Sequence, residues 1–302
     1  MDTVKSRIKP KELLILEQLH KRLKLPNQFK QYYFSLKKGY EGEIIFDSLT
    51  EKLQCECLIL NDLLLEVNNT TFQIDSLIIV QGKVLFYEIK NYDGDYYYEK
   101  DKLYKKPKFE IINPLDQLSR SSSLLRQLLL SLGYNLPIES FVVFINPNFT
   151  MYQAPIEKPI IFPTQLNHYL GNVDSSNSKL TVKHKKLAEQ LVKLHKTNSS
   201  YSHLPSYDYE QLRKGIICNN CHSFSVSVNK RHCVCTDCGQ AEPVAKAVLR
   251  TVSEFKLLFP DRKITTNIIH DWCKVIRRKE RIRKILKTRY KIVGVRQWAY
   301  YE

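Results

Sequence analysis

No run in this 302-residue chain is apolar for long enough to span a bilayer. The strongest stretch, SLLRQLLLSLGYNL, is broken by Arg126 and Gln127, well short of the roughly 18 residues a span needs. The first apolar run, LLIL, lies among Glu12, Glu17 and Gln18, so no secretory leader is expected and a cytoplasmic location follows. Glycine (9) and proline (12) are scarce, which excludes collagen-like and low-complexity chains. With 43% apolar residues there is ample material for a core, and at about 100–200 residues per domain the length suits about two domains. Acid is also in short supply: 31 Asp and Glu face 47 Lys and Arg, a net +16. From Tyr201 onward, 20 basic and 9 acidic residues give +11. Such one-sided charge points to a polyanion, nucleic acid above all, with a merely solubilising surface as the alternative.

Of eight cysteines, five crowd into 218–238, which without a secretory context suggests metal rather than disulfides. An amphipathic helix is expected in KELLILEQLHKRL, with Leu13, Leu16, Leu19 and Leu23 on one face, and a second in EGEIIFDSLTEKL after Gly39. Strands follow in LILNDLLLEV, FQIDSLIIV, KVLFYEIKNY and the shorter YYYEK, with a Gln81-Gly82 turn making a hairpin of the second and third. Asn113-Pro114 caps a long helix reaching about Gly133. SFVVFIN, a short IIF strand and the basic helix VKHKKLAEQLVKLHK close the α/β part.

The hairpin brings Asp75, near the start of one strand, beside Glu88 and Lys90, near the end of the next. Glu88 and Lys90 are two apart and share a face. Two carboxylates and an ammonium at the end of an apolar strand are costly unless something binds there. Mg²⁺ or Mn²⁺ meets that need, since such ions take a few carboxylates plus substrate phosphate. A phosphodiester-cleaving site would use the metal to activate water and Lys90 to orient it. Solvated charges at a strand end are the competing explanation. Glu43 near a helix start is also favoured by the helix dipole alone. On the Asn113-Pro114 helix, Gln117, Arg120, Ser121 and Leu124 share a face that would suit phosphate contact.

Four pieces in order carry a resemblance: Gly39 with Gly42 and Glu43; Gln73-Ile74-Asp75 running into Leu77-Ile78-Ile79; Gly82 ahead of Tyr87-Glu88-Ile89-Lys90-Asn91-Tyr92 and Gly94; and Asn113-Pro114-Leu115 with Gln117 and Arg120. Over roughly 36–150 the sequence resembles the nuclease-related domain (NERD) family of the PD-(D/E)xK nuclease superfamily. The resemblance implies a restriction-endonuclease-like α/β core, a central mixed sheet flanked by helices, that cuts nucleic acid with Mg²⁺. It assigns the metal to Asp75, Glu88 and the Ile89 carbonyl, and catalytic roles to Glu43, Asp75, Glu88, Lys90 and Gln117. Asp75 follows Ile74 rather than the proline of the superfamily pattern.

Cys218-Asn-Asn-Cys221 and Cys235-Thr-Asp-Cys238 are two CxxC knuckles, the spacing of a structural zinc ribbon. Cys233 is left as a spare thiol, and a redox dithiol pair is the alternative. Beyond lie three expected helices, SEFKLLF, TTNIIHDWCKVI and RRKERIRKILKTRY. Between Lys274 and Lys291, ten basic residues and one acid surround a stripe of Ile282, Ile285, Leu286 and Tyr290. With the aromatic end at Gln297–Tyr301 as a small wing, this resembles a helix-turn-helix-like module. Its Arg277, Arg278, Arg281, Lys284 and Lys287 would join Arg120 in binding nucleic acid, DNA ahead of RNA. The expected division is an N-terminal helix (1–35), the nuclease-like domain (36–196), a linker (197–208), the zinc ribbon (209–245) and the basic helical module (246–302). The expected function is a metal-dependent nuclease carrying one Zn²⁺, able to pair as a homodimer; a catalytically inactive nucleic-acid-binding protein on the same fold is the alternative.

Overall fold

The structure is a computed structural model, and it describes residues 1–197, 203–295 and 298–302. Part of the expected linker, and Gln297 of the aromatic end, lie outside the described residues. In chain order the elements are β1 (Asp2–Lys5), α1 (Lys11–Arg22), α2 (Asn27–Thr50), β2 (Leu58–Val67), β3 (Thr70–Val80), β4 (Lys83–Lys90), β5 (Gly94–Glu99), β6 (Lys102–Lys105), β7 (Phe109–Ile111) and α3 (Pro114–Ser131). There follow β8 (Ile138–Phe144), β9 (Phe149–Tyr152), β10 (Ile160–Ile161), α4 (Pro163–Asp174), α5 (Val182–Leu194), β11 (Val226–Asn229), β12 (His232–Cys235), β13 (Ala241–Pro243), α6 (Val244–Leu258), α7 (Thr266–Cys273), α8 (Lys279–Lys287), β14 (Ile292–Val293) and β15 (Tyr300–Tyr301). They form two compact units, Met1–Lys9 with Phe34–Ser202, and Pro10–Tyr33 with His203–Glu302. Among the described residues no helix is long and apolar enough to cross a membrane.

The first unit is built on a mixed six-stranded sheet in the order β1-β2-β3-β4-β8-β10. β2, β3 and β4 run antiparallel, while β8 pairs β4 in parallel from Val84↔Ile138 to Lys90↔Phe144. Helices cover both faces, so strand side chains alternate between two cores. Val84 and Phe86 of β4 meet Leu118, Leu125 and Leu129 of α3 and Leu187 and Leu191 of α5. Leu85, Tyr87 and Ile89 meet Phe46 of α2 and Leu166 and Leu170 of α4. A second sheet, β7-β6-β5-β9, grows from the end of β4. The Asn113 side chain accepts from the Leu115 amide at 3.1 Å with Pro114 in the first turn, so α3 begins as its sequence demands.

The helix expected to start after Gly39 instead begins at Asn27 and runs through that glycine. Gly39 faces open space, so the helix keeps it at the modest propensity cost of about 1 kcal/mol. Gly42 is different. A Cβ there would lie 2.6 Å from Asn91 Cβ and 3.1 Å from Ile145 Cγ2, so α2 approaches the sheet closely only because this position is glycine. Gly42→Ala should therefore destabilise the fold by about 1–3 kcal/mol from overpacking, despite alanine's better helix propensity. Urea unfolding measures this, and an alanine variant as stable as wild type would contradict the close approach.

The second unit gathers α1, α6, α7, α8 and a three-stranded sheet β11-β12-β13 on one core. Ile15 and Leu19 of α1 join Val248, Val252 and Phe255 of α6, Trp272 of α7 and Ile282 and Leu286 of α8. α1, from the expected N-terminal helix segment, thus packs with the C-terminal elements. Arg22, 2% exposed, is buried there with Glu254 at 2.6 Å and the Gly215 carbonyl at 3.3 Å. The Thr265 hydroxyl caps α7 by accepting from the Ile268 amide at 3.2 Å.

Candidate functional site

Strict alternation fails at one level of the sheet. Leu60 and Leu63 of β2 are three apart yet enter the same core, and so do Ile74 and Leu77 of β3. The slip sits at Asp62, whose φ is 56°, and at Asp75–Ser76 across from it. On the other side the β3–β4 ladder stops at Ser76↔Tyr87. One step further, the Ile89 amide donates not to a β3 carbonyl but to Asp75 Oδ2 at 2.7 Å. The two strands part where the acidic groups stand, while β8 holds the far side of β4 through Lys90.

The hairpin brings together the residues expected from it. Lys90 Nζ donates to Glu88 Oε1 at 2.6 Å and to Gln117 Oε1 of α3 at 3.1 Å. Asp75 is 8% and Glu88 1% exposed, and Glu88 Oε2 is buried without a hydrogen-bond partner among the described residues. Burial, and then the neighbouring Asp75 charge, push the Glu88 carboxyl up to about 8 and that of Glu43 up to about 7. Burial also raises Asp75, against the pull of Lys90 and the Ile89 amide. For Lys90, burial would depress the ammonium, but Glu88 and Asp75 outweigh it and hold it charged. Asp75 and Glu88, the latter with an idle buried oxygen, offer oxygen donors of the kind a hard divalent cation takes.

Two residues escaped the sequence. Arg7, whose side chain is 2% exposed, donates to Glu43 Oε2 at 2.7 Å, and Asp47 of α2 takes its Nε at 2.8 Å. The only hint was Glu43 and Asp47 one turn apart on α2, a like-charge pair that calls for a cation between them without saying which. On α3, Gln117 and Arg120 are exposed, but Ser121 is buried and Leu124 packs on the core. Of the four residues expected to share a face, only Gln117 and Arg120 are therefore open to phosphate, because α3 turns the rest of that side into the sheet.

In the second unit, the Sγ atoms of Cys218, Cys221, Cys235 and Cys238 all lie within 4.8 Å of one another. The pairs Cys218–Cys238 and Cys221–Cys235 stand at 3.7 and 3.5 Å. A tetrahedron with 2.3 Å Zn–S bonds has edges of about 3.8 Å, so the four thiols are compatible with a closed zinc site. The backbone N–H of Gln240 and the Asn220 amide lower the Cys238 thiol to about 6. Cys233, kept as a spare thiol, points into the apolar core at 3% exposure, and burial raises it to about 11. The β11–β12 hairpin between the knuckles is the expected ribbon.

On α8, Ile282, Ile285 and Leu286 face inward, leaving Arg277, Arg278, Lys284 and Lys287 exposed just before and along the helix. Arg281 differs: its Nη2 donates to the Lys230 carbonyl in the ribbon turn at 2.9 Å. Arg283, not singled out from sequence, is exposed beside the others. β14 and β15 pair as a two-stranded ladder at the expected wing position.

No curated protein and no solved structure matches the chain. Residues 38–145 match the family model NERD, nuclease-related domain, a span that holds Glu43, Asp75, Glu88, Lys90 and Gln117. With its mixed sheet, its flanking helices and that match, the chain carries a nuclease-related domain at 38–145, with a four-cysteine cluster compatible with a zinc ribbon beyond it.

Proposed function

We propose that the protein is a divalent-metal-dependent nuclease acting on DNA first and on RNA second. The observation that carries this reading is the Asp75–Glu88–Lys90 cluster, with its buried, unpartnered Glu88 oxygen. Asp75, Glu88 and the Ile89 carbonyl would hold Mg²⁺ or Mn²⁺. When bound, the ion supplies a Lewis acid that lowers the pKa of water and offsets charge on the phosphodiester. Lys90, held between Glu88 and Gln117, presents an ammonium whose position is fixed before substrate arrives. It orients the attacking water and stabilises the growing negative charge. Gln117 keeps Lys90 from collapsing wholly onto Glu88, and Glu43 lends a further carboxylate to the site. The zinc ribbon is structural, and the exposed cations of α8 bind phosphates without regard to sequence.

The test is cleavage of plasmid DNA and of RNA by the zinc-loaded protein with added Mg²⁺ or Mn²⁺, and its absence when no such ion is added. If the wild-type protein cuts neither, the binding-protein reading replaces this one. Docking is tested by charge reversal of Arg277, Arg278, Arg283 and Lys284, since deleting the C-terminal unit would strip Ile15 and Leu19 of α1 of their core. Affinity should fall alike for all sequences, and the log–log salt slope should flatten by about 0.7–0.9 for each phosphate that is no longer neutralised. An unchanged slope would assign these cations to another partner.

A further inference from the structure

We infer that Arg7 is a positioning residue of the acidic site: a buried guanidinium, supplied from outside the matched 38–145 segment, that fixes the Glu43 carboxylate and the Asp75 backbone so that the site can take its metal. The inference rests on the metal-dependent reading above. Arg7 uses its whole fork. Nη1 donates to Glu43 Oε2 at 2.7 Å, Nη2 donates to the Asp75 carbonyl at 2.7 Å, and Nε and Nη2 donate to the two oxygens of Asp47 at 2.8 and 3.1 Å. These bonds answer needs created by the fold. The Asp75 carbonyl lies where strand alternation slips, and Arg7 satisfies it. Lys5, two residues earlier, does the same for the Asn61 and Asp62 carbonyls at 2.8 and 2.6 Å. Glu43 and Asp47 would repel across one helical turn, and one planar cation bridges them. A lysine carries the charge but cannot reach three separate acceptors with fixed geometry. With its side chain 2% exposed, Arg7 does not touch substrate.

The charge-conserving variant gives the direction of its effect. A cation beside a metal site repels the metal, so Arg7→Gln changes charge and geometry together, with opposite effects on binding. Arg7→Lys keeps the charge beside Asp47 and removes only the fork, and the loss of that geometry weakens binding. Outer-shell partners of metal ligands are typically worth 10–100-fold in affinity or activity.

The experiment is Mn²⁺ calorimetry on the full-length, zinc-loaded protein, with Glu88→Gln identifying the heat that belongs to this site. Arg7→Lys should weaken Mn²⁺ binding about 10–100-fold, with KM for nucleic acid within about twofold and kcat reduced. Because Asp47 acts through Arg7, the charge-balanced double variant Arg7→Gln/Asp47→Asn should be no worse than Arg7→Lys alone. An Arg7→Lys protein that binds Mn²⁺ as tightly as wild type, or more tightly, overturns the inference. If Arg7→Lys does not fold, Arg7→Gln/Asp47→Asn decides by the same criterion. A wild type that binds Mn²⁺ but cuts nothing defeats the nuclease reading, while the binding comparison still decides the role of Arg7. A wild type that cuts, with Arg7 variants that bind like it, defeats the inference alone. A wild type that binds no Mn²⁺ at this site defeats both.

Discussion

Glu88→Gln is expected to lower cleavage by at least 10²–10³-fold, the scale set by removing one preorganised transition-state contact, and Asp75→Asn and Lys90→Ala should fall as far. Nucleic-acid affinity should hardly change, because in the proposed reaction these groups would act on the reacting phosphate rather than on docking. The same substitution carries an independent signature in stability. In the metal-free protein the Glu88 carboxyl is raised to about 8 by burial and by Asp75, whereas in the unfolded chain it titrates near 4.3. Between those values the folded state keeps a proton that the unfolded state has released, so stability falls as pH rises. Glu43 adds to the same loss up to about 7. Zinc-loaded wild type without Mg²⁺ or Mn²⁺ should therefore melt at progressively lower temperature from pH 5 to pH 8, and Mn²⁺ should raise the midpoint most at the upper end, by preferential binding to the folded state. Glu88→Gln should show a shallower pH slope and little response to Mn²⁺. A Glu88→Gln variant that cuts within tenfold of wild type would sink the assignment, whatever its melting behaviour.

What the sequence made legible follows from which signals are local. The apolar run of β4 and its hairpin turn at Gln81-Gly82 specify a central strand, and the two-residue spacing of Glu88 and Lys90 fixes their common face. The Asn113-Pro114 cap places α3, and with it Gln117 against Lys90. The rest depends on contacts distant in sequence. The slip at Asp62 and Asp75 is invisible in an apolar strand that reads the same before and after it, and it determines which carbonyls need Lys5 and Arg7. Residues 94–111 read as one short strand, yet three strands form, because β9 from beyond α3 completes the sheet. The N-terminal leucines of α1 announced an amphipathic helix correctly, but an amphipathic face does not name its partner, and Ile15 and Leu19 pack on α6 and its neighbours. The four-cysteine spacing was the plainest signal in the chain because tetrahedral coordination leaves little freedom, and the four sulfurs converge accordingly.

Removing zinc should have the second large effect, and the packing of the ribbon explains why it should spread. The purified protein should hold one equivalent of Zn²⁺, and Cys218→Ser or Cys238→Ser should lose it. In small zinc modules the binding free energy, about 10–16 kcal/mol, is the folding free energy, and it matches or exceeds the 5–15 kcal/mol that typically holds a whole domain. This ribbon is not a detached module. Cys233, Val226 and Val228 of its hairpin belong to the core of α1, α6, α7 and α8; β13 runs directly into α6; and Arg281 of α8 donates to the Lys230 carbonyl in the hairpin turn. Chelation should therefore open the ribbon and loosen the helices that carry the basic surface, exposing the C-terminal unit to protease and abolishing the nucleic-acid binding proposed for it. Cys55, Cys57 and Cys273 substitutions should leave the zinc content unchanged, since the converging set consists of the other four cysteines Cys218, Cys221, Cys235 and Cys238. Cys233→Ser should also keep the zinc while lowering stability, because it places a hydroxyl in an apolar core at a position 3% exposed. A metal-free preparation whose C-terminal unit resists protease and binds nucleic acid normally would show that packing alone sustains this unit, and would remove zinc from its folding.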